Sequence, residues 1–197
     1  MVCPLVLASA SPRRVELLKG VVPEFEVVVA DGIEEAHDAA LTPAGLTEHN
    51  ARLKAVAVAA HFPGRLVLGA DTLVYLDGEP LGKPSTRDEA AAMLRRLSGR
   101  THTVCTGVCL AGPDAGTVDC FHDVTEVRFR QLDEQTIARY LANVFVLDKA
   151  GAYAIQECGD MIVEGIRGSL STVIGLPVEA LEARLRRHSA EPAPPVH

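Results

Sequence analysis

The apolar positions of this chain fall into short unbroken runs and longer stretches with helical spacing, which together predict alternating strands and helices. VCPLVLAS at residues 2–9 is such a run and predicts the first strand. It leads into SPRRVELL, where Ser11 is a suitable N-cap and Pro12 a suitable first helical residue. FEVVVAD then predicts a second strand, so the chain begins in the manner of an α/β protein.

A long helix and a hairpin are predicted next. Residues 43–61 have a helical pattern, with Thr42 as N-cap and Glu48 and Arg52 spaced as an ion pair. LVLGADTLVYL predicts a strand, and the DG dipeptide that follows is a strong hairpin signal leading into EPLGKP.

The second half of the chain continues the mixture of helices and strands. Thr86 and Glu89 have the spacing of a capping box at the start of TRDEAAAMLRRLSGR, and Asp133 caps a helix in DEQTIARYLAN. Between these helices, THTVCTGVCLAG and TVDCFHDVTEVRFRQL predict two long strands around the turn GPDAG. AYAIQE and MIVEGI predict short strands, and PVEALEARLRR predicts a final helix. Because two hairpin signals disfavour a purely parallel sheet, the predicted fold class is mixed α/β.

Composition narrows the function classes. The 197 residues carry a net charge of −7, which argues against a stable nucleic-acid partner, since nucleic acids require a basic surface. The apolar runs are too short and too interrupted to span a membrane. The five cysteines form no CxxC pair, and their odd number suits a reducing compartment such as the cytoplasm. Cys105 and Cys109 share one face of a predicted strand, where small core residues are the expected interpretation.

Several familiar catalytic motifs are absent. GEPLGKP is one residue short of a P-loop, and Pro84 stands where a Mg²⁺-binding Ser or Thr would be needed. The chain has no GxGxxG, GxSxG or HExxH motif, which removes support for hydride transfer, serine hydrolysis and zinc proteolysis.

Charged residues in unfavourable places are the remaining signal. Arg13 and Arg14 crowd a helix N-terminus, where the backbone is already positive, and Lys54 lies among alanines and valines. Asp71 interrupts an apolar strand, where an unpaired carboxylate costs several kcal/mol. It therefore needs a partner or a function, and its place after Gly and Ala favours a site.

A second acidic candidate follows the second predicted strand. Glu34 and Glu35 begin a loop in DGIEEAHD, which by itself is typical of a solvated acidic turn. Together with Asp71 this loop could supply the paired carboxylates that hold Mg²⁺ and orient a water molecule. The basic residues would then be phosphate ligands.

Seven segments, in this order, resemble the Maf family of nucleoside triphosphate pyrophosphatases: SASPRR, IEEAHD, ARLKAVA, GADTLVYLDGEPLGKP, MLRRLSGRTHTVCTGV, DKAGAYAIQ and GSLSTVIGLPVEAL. The resemblance implies a single domain over residues 1–187. The tail at 188–197, HSAEPAPPVH, is predicted to be disordered because it is rich in Pro and has no large hydrophobic residues. It also implies a fold similar to the inosine triphosphate pyrophosphatases, with a mixed sheet, flanking helices and a central cleft between two lobes, and commonly a homodimer. The implied reaction is hydrolysis between the α and β phosphates with a divalent metal, Mg²⁺ or Mn²⁺.

The resemblance also implies roles for individual residues. Asp71 takes the place of the family's catalytic proton acceptor, and Glu35 falls on its acidic loop position, where Asp71 and Glu35 would hold the metal. The phosphate and active-site positions fall on Ser9, Arg13, Arg14, Lys54 and Lys83.

Substrate choice is implied by a smaller set of residues. Arg13, Thr72 and Gln156 match the specificity positions of the branch that acts on dTTP and UTP. Glu157 departs from the family, which usually has glycine there, and adds negative charge near the expected base pocket. The alternatives are a 7-methyl-GTP pyrophosphatase, a purine triphosphate pyrophosphatase, and a nucleotide-binding regulator of cell division and septum formation.

Overall fold

The computed structural model describes residues 5–30, 32–36, 40–112 and 118–190, and within these residues the strands form a single mixed sheet. The strands are β1 (Leu5–Ala8), β2 (Phe25–Val28), β3 (Val67–Leu76), β4 (Glu79–Leu81), β5 (Thr101–Ala111), β6 (Val118–Phe129) and β7 (Val163–Arg167). Their order is β2-β1-β3-β5-β6-β7, with β4 paired to β3. β1 is parallel to both of its neighbours, and every other described pair is antiparallel. The mixed α/β prediction is confirmed.

The helices begin where the capping residues predict. They are α1 (Pro12–Lys19), α2 (Pro43–Ala59), α3 (Arg87–Leu97), α4 (Glu134–Asn143), α5 (Leu170–Ile174) and α6 (Val178–Ala190). Ser11, Thr42, Thr86 and Asp133 each accept a hydrogen bond from a backbone N–H of the first turn that they cap. None of the helices in the described part of the chain is both long and apolar enough to cross a membrane.

Helix α2 lies directly against one face of the sheet. A Cβ atom added at Gly69 would lie 2.8 Å from the backbone nitrogen of Ala55, and one added at Gly107 would lie 2.5 Å from that of Glu48. Both glycines are therefore required by the close approach of helix and sheet. Cys105 and Cys109 face the same helix and are buried, as predicted.

On the face of the sheet opposite α2, the hydrophobic core consists of two clusters that are formed with different helices. Opposite α2, side chains of β1, β3 and β5 pack with α1 and α6, and among them are Leu7, Leu68, Leu110 and Leu181. Farther along β3 and β5, a second cluster packs with α3 and α4, and among its members are Val74, Leu94, Phe129 and Tyr140. The middle of β3 lies where these two cores meet.

The DG hairpin is confirmed. Asp77 and Gly78 both have positive φ, 54° and 84°, and connect β3 to β4. Such a turn matches the twist of the strands it joins.

The short strand predicted over AYAIQE is wrong. Residues Ala150–Ala152 form a 3₁₀ turn in which Gly151 and Ala152 have positive φ, and residues 153–158 are irregular. The hydroxyl of Tyr140 takes the place of a neighbouring strand, because it donates to the carbonyl of Ala154 and accepts from its N–H. The alternating apolar pattern of AYAIQE therefore reflects the burial of its side chains and not pairing with another strand.

Two local pairings also differ from the sequence prediction. Glu89 accepts a hydrogen bond from the N–H of Ser85 instead of closing the capping box on Thr86. The carboxylate of Glu48, which was expected to pair with Arg52, instead lies 2.6 Å from Nδ1 of His122 on β6.

The predicted tail and the predicted turn GPDAG can be compared with the structure only in part. Helix α6 continues to Ala190, three residues into the segment expected to be a disordered tail. The turn GPDAG and the rest of the tail fall largely or wholly outside the described residues.

Candidate active site

A cleft of about 900 Å³ opens at the middle of β3, between the two parts of the core. It is lined by the end of β1, the start of α1, the loop before α2, the β3–β4 hairpin and the irregular segment after α4. Every site residue predicted from the sequence lines this one cleft: Ser9, Arg13, Arg14, Glu35, Lys54, Asp71, Thr72, Lys83 and Gln156. Residues that are up to 147 positions apart in the sequence, from 9 to 156, are thus brought together.

The direction of the Asp71 side chain follows from the alternation of side chains between the two faces of β3. Its side chain points toward α2, on the face of Val67 and Gly69, and the residue is only 5% exposed. Its Oδ1 lies 2.8 Å from Nζ of Lys54, and its Oδ2 accepts a hydrogen bond from Nδ2 of Asn50 at 3.2 Å. The partner that a buried carboxylate requires is present, and both of its oxygens are held.

Glu35 joins Asp71 through the same lysine. Nζ of Lys54 lies 2.7 Å from Oε1 of Glu35, and the lysine side chain is 12% exposed. The carboxylates of Glu35 and Asp71 therefore converge on one point from a loop and from a strand. Glu34 is exposed and does not line the cleft, so Glu35 is the acidic loop residue that the structure brings to the site.

The two carboxylates have the donor chemistry of a magnesium or manganese site. Magnesium is commonly held by one or two carboxylates together with substrate phosphates. Within the described ranges, no group of three or more His, Cys, Asp or Glu side chains could hold an ion alone. Glu35 and Asp71 therefore fit a metal that is completed by phosphate oxygens.

The two arginines at the start of α1 have different surroundings. Arg14 donates from Nε to the carbonyl of Gly175 at 2.9 Å, and from Nη2 to the hydroxyl of Thr72 at 3.1 Å. Its Nη1 reaches Oγ of Ser9 at 3.4 Å, and burial lowers the pKa of this guanidinium. Arg13 is more open, with a side chain that is 30% exposed and 3.8 Å from Asp148. Arg14 is thus built into the wall, whereas Arg13 can turn toward an anion.

Thr72 is fully engaged by other side chains. Its hydroxyl accepts from Arg14 and lies 3.0 Å from the hydroxyl of Thr106. Thr106 donates its own proton to the carbonyl of Thr172 at 2.8 Å. The hydroxyl of Thr106 must therefore accept from Thr72. In this arrangement Thr72 orients the guanidinium of Arg14, and its proton is committed to the threonine behind it.

Lys149 is a buried cation that the sequence analysis did not assign. It is 5% exposed, and its Nζ lies 2.9 Å from Asp148 and 3.4 Å from Glu157. The extra negative charge of Glu157 is thus paired with Lys149, which lines the cleft, whereas Glu157 does not. Gln156, the residue before Glu157, is exposed and lines the cleft. Lys83 is also exposed and lines the cleft.

A buried aromatic cluster lies behind the cleft. Tyr153 lines the cleft, and its hydroxyl lies 2.8 Å from Nε2 of His102. The rings of His102 and Phe129 are 4.9 Å apart and meet edge to face. Burial lowers the pKa of His102 to about 4, so this ring is neutral at pH 7.

Two residues around the cleft that the sequence analysis did not assign, Asn50 and Lys149, had detectable signals. Asn50 and Lys54 are four residues apart and therefore on one face of α2, which also carries the buried Ala51 and Ala55. Polar groups on an otherwise buried face indicate a specific partner. Lys149 lies in DKAGAYAIQ, a segment of the family resemblance in which only Gln156 had been given a role.

Comparison with known proteins gives consistent matches over nearly the whole chain. A family model described as Maf-like protein matches residues 4–188. The dTTP/UTP pyrophosphatase of Akkermansia muciniphila is 49% identical over 178 residues, which are 90% of this chain and 93% of that relative. The dTTP/UTP pyrophosphatase of Symbiobacterium thermophilum is 48% identical over 174 residues, 88% of each chain.

One group of solved structures shares the fold. The Ham1 protein of Staphylococcus aureus superposes with a TM-score of 0.58 at 18% identity, and the match covers 94% of this chain and all of that one. A HAM1 protein from Coxiella burnetii gives the same TM-score and identity, with 95% of this chain covered.

Proposed function

Because the chain belongs to the Maf-like protein family, we propose that it hydrolyses dTTP and UTP to the nucleoside monophosphate and pyrophosphate. Relatives that are 41–49% identical over most of its length are named dTTP/UTP pyrophosphatase. The observation that carries the proposal is Asp71, a carboxylate in a buried strand that opens into a cleft lined by basic residues.

Asp71 is the proposed general base. Each of its oxygens accepts one hydrogen bond from the protein, which leaves a second lone pair on each for a water molecule. As that water attacks the α-phosphorus, its proton passes to Asp71 and the bond from phosphorus to the α,β-bridging oxygen breaks. Pyrophosphate leaves with the bonding electron pair, and the water oxygen remains in the nucleoside monophosphate.

The basic residues bind the triphosphate. Arg13 can present a two-pronged guanidinium to phosphate oxygens, and Lys83, which also lines the cleft, supplies a point charge. The N-terminus of α1 adds a positive dipole end beside Ser9. Arg14 and Lys54 contribute positive charge from the wall of the cleft.

A divalent metal, Mg²⁺ or Mn²⁺, would be held by Glu35 and Asp71 together with phosphate oxygens. When bound, it would neutralise charge on the phosphates and help to order the attacking water. Lys54, which contacts both carboxylates, keeps them from repelling each other before the substrate arrives.

Gln156 is the proposed reader of the base. Its side-chain amide offers one donor and one acceptor edge, which matches the imide of uracil or thymine. Thr72 contributes through Arg14, whose position it fixes, and Arg13 lies at the phosphate end. Base discrimination by paired hydrogen bonds can be large, since a wrong base leaves buried groups unpaired.

A screen of pyrophosphate release tests the proposal. The purified chain is assayed with dTTP, UTP, CTP, GTP and 7-methyl-GTP, each with Mg²⁺ or Mn²⁺ and with a chelator as control. We expect dTTP and UTP to lead the profile and the chelator to stop turnover. A profile led by 7-methyl-GTP would contradict the roles of Thr72 and Gln156. Tight nucleotide binding without turnover would favour the regulatory alternative.

We also infer a homodimer in the cytoplasm. The dimer rests on the family resemblance, and sedimentation equilibrium at twice the chain mass of 21.0 kDa would support it. The location is supported by the free thiols of the described cysteines, Cys105, Cys109, Cys120 and Cys158. Fractionation of cells that express the tagged chain tests it directly.

A further inference from the structure

The side chain of Asn50 joins the loop that carries Glu35 to the carboxylate of Asp71. Its Oδ1 accepts from the N–H of Ala36 at 2.8 Å, and its Nδ2 donates to the carbonyl of Ala36 at 3.2 Å. The other hydrogen of Nδ2 is donated to Oδ2 of Asp71, also at 3.2 Å. The residue is 2% exposed, and its bond to Asp71 is buried, whereas its two bonds to Ala36 are partly buried.

Asn50 and Lys54 divide the work of holding the two acidic residues. They are one helical turn apart on α2, and they hold different oxygens of Asp71, Oδ2 and Oδ1 respectively. Lys54 contacts the Glu35 side chain, whereas Asn50 fixes the backbone of the next residue, Ala36. Helix α2 therefore sets both where the loop lies and where the strand carboxylate points.

Asparagine has the functional groups that this position requires. A side-chain amide supplies one acceptor and two donors, and all three are used here. An aspartate would fill the same volume but would lose both donors and place a negative charge against Asp71. A leucine would leave the N–H and carbonyl of Ala36 and one oxygen of Asp71 without this partner in a buried place.

We propose that Asn50 is a positioning residue for hydrolysis, which ties Ala36 to Asp71 and so sets the spacing of the Glu35 and Asp71 carboxylates around the metal and triphosphate. This inference rests on the proposed function. Since Asn50 does not line the cleft, it acts through those two residues and not on the substrate. Residues that orient metal ligands in this way typically affect metal affinity or activity about 10- to 100-fold.

The test compares Asn50→Leu and Asn50→Asp with the matched control Asn143→Asp. Asn143 is also in a helix, where its Nδ2 donates to the carbonyl of Arg139 at 2.7 Å, and it does not line the cleft. For each full-length variant, kcat and KM for UTP are measured per folded molecule, with the folded fraction taken from circular dichroism. Mn²⁺ affinity is then measured without turnover, by titrating the ion into protein saturated with α,β-imido-UTP.

We expect both Asn50 variants to lose kcat about 10- to 100-fold and to bind Mn²⁺ at least about tenfold more weakly in the analogue complex. KM for UTP should rise by no more than about tenfold, in step with the weaker metal, because Arg13 and Lys83 are not touched. The Asn143 variant should match the wild type in every measurement.

Three results would overturn the inference. The first is that the Asn50 variants keep the kcat and the Mn²⁺ affinity of the wild type. The second is that their loss of kcat only follows the loss of folded protein. The third is that KM rises while kcat and Mn²⁺ affinity stay unchanged. Asn50→Asp preserves side-chain volume and keeps the test available if Asn50→Leu does not fold. A wild-type protein that releases no pyrophosphate would instead contradict the proposed function, so the two failures are distinguishable.

Discussion

Stability should depend on pH through His102, the neutral ring behind the cleft. In the folded protein burial lowers its pKa to about 4, whereas its ordinary value is 6.5. The unfolded chain therefore takes up a proton below pH 6.5 that the folded protein does not accept until about pH 4. The stabilisation from the neutral ring is fully present above pH 6.5 and is lost as pH falls from 6.5 toward 4.

The size of this effect follows from the two pKa values. Each pKa unit corresponds to about 1.4 kcal/mol, so the difference between 6.5 and about 4 is worth about 3 kcal/mol. The ring is 2% exposed and packs edge to face on Phe129 and Tyr153, so solvent screens this term little. Other histidines add their own pH dependence, which makes a comparison with a variant necessary.

The assay is urea unfolding of the wild type and of His102→Gln at several pH values between 7 and 4. The stability difference between the two proteins should shrink by up to about 3 kcal/mol in favour of the variant as pH falls. A second variant, His102→Phe, keeps an aromatic ring in the cluster if glutamine packs poorly. Parallel pH curves for the wild type and both variants would refute the reasoning.

Three further predictions concern packing, charge pairing and hydrogen bonding around the cleft. Gly69→Ala places a Cβ against the backbone of α2 and should cost about 2 kcal/mol or more in urea unfolding, whereas Gly165→Ala, with open space around it, should stay within about 0.5. Equal costs would contradict the close packing. Glu157→Gln should leave the ratio of UTP to CTP turnover unchanged because Lys149 already pairs with that carboxylate, and a changed ratio in competition assays would count against this pairing. Thr72→Val removes the hydroxyl that holds the guanidinium of Arg14 and should raise KM for UTP about tenfold in steady-state kinetics. An unchanged KM would show that Arg14 does not need this hydroxyl to bind the substrate.

Local signals in the sequence located the central features of this molecule. Asp71 could be found because a carboxylate in a strand that is buried on both faces is costly unless it is paired or used. The caps of α1, α2 and α4 could be found because they depend on residues only three positions apart.

Features that depend on distant partners could not be predicted. The role of Asn50 exists only because the loop at Ala36 returns to α2, and no residue spacing records that return. Glu48 has a suitable partner four residues away, yet the fold brings His122 closer. The alternation in AYAIQE suggested a strand, but the hydroxyl of Tyr140 satisfies the backbone there.

The same distinction applies to the assignments within the site. The sequence and the family resemblance identified nine residues that line the cleft and gave Arg13, but not Arg14, a specificity position; they did not show that the two arginines have different surroundings. The separation comes from three neutral partners that hold Arg14 in the wall. The roles of these residues in catalysis stay predictions.

The central claim is that water, deprotonated by Asp71, attacks the α-phosphorus of a pyrimidine nucleoside triphosphate. The measurement is mass spectrometry of the products formed from UTP in ¹⁸O-water by the wild type and by Asp71→Asn, with folding of the variant checked by circular dichroism. We expect the label in UMP and none in pyrophosphate, and at least about a hundredfold slower turnover by the folded variant. Label in pyrophosphate, or wild-type turnover by Asp71→Asn, would contradict it.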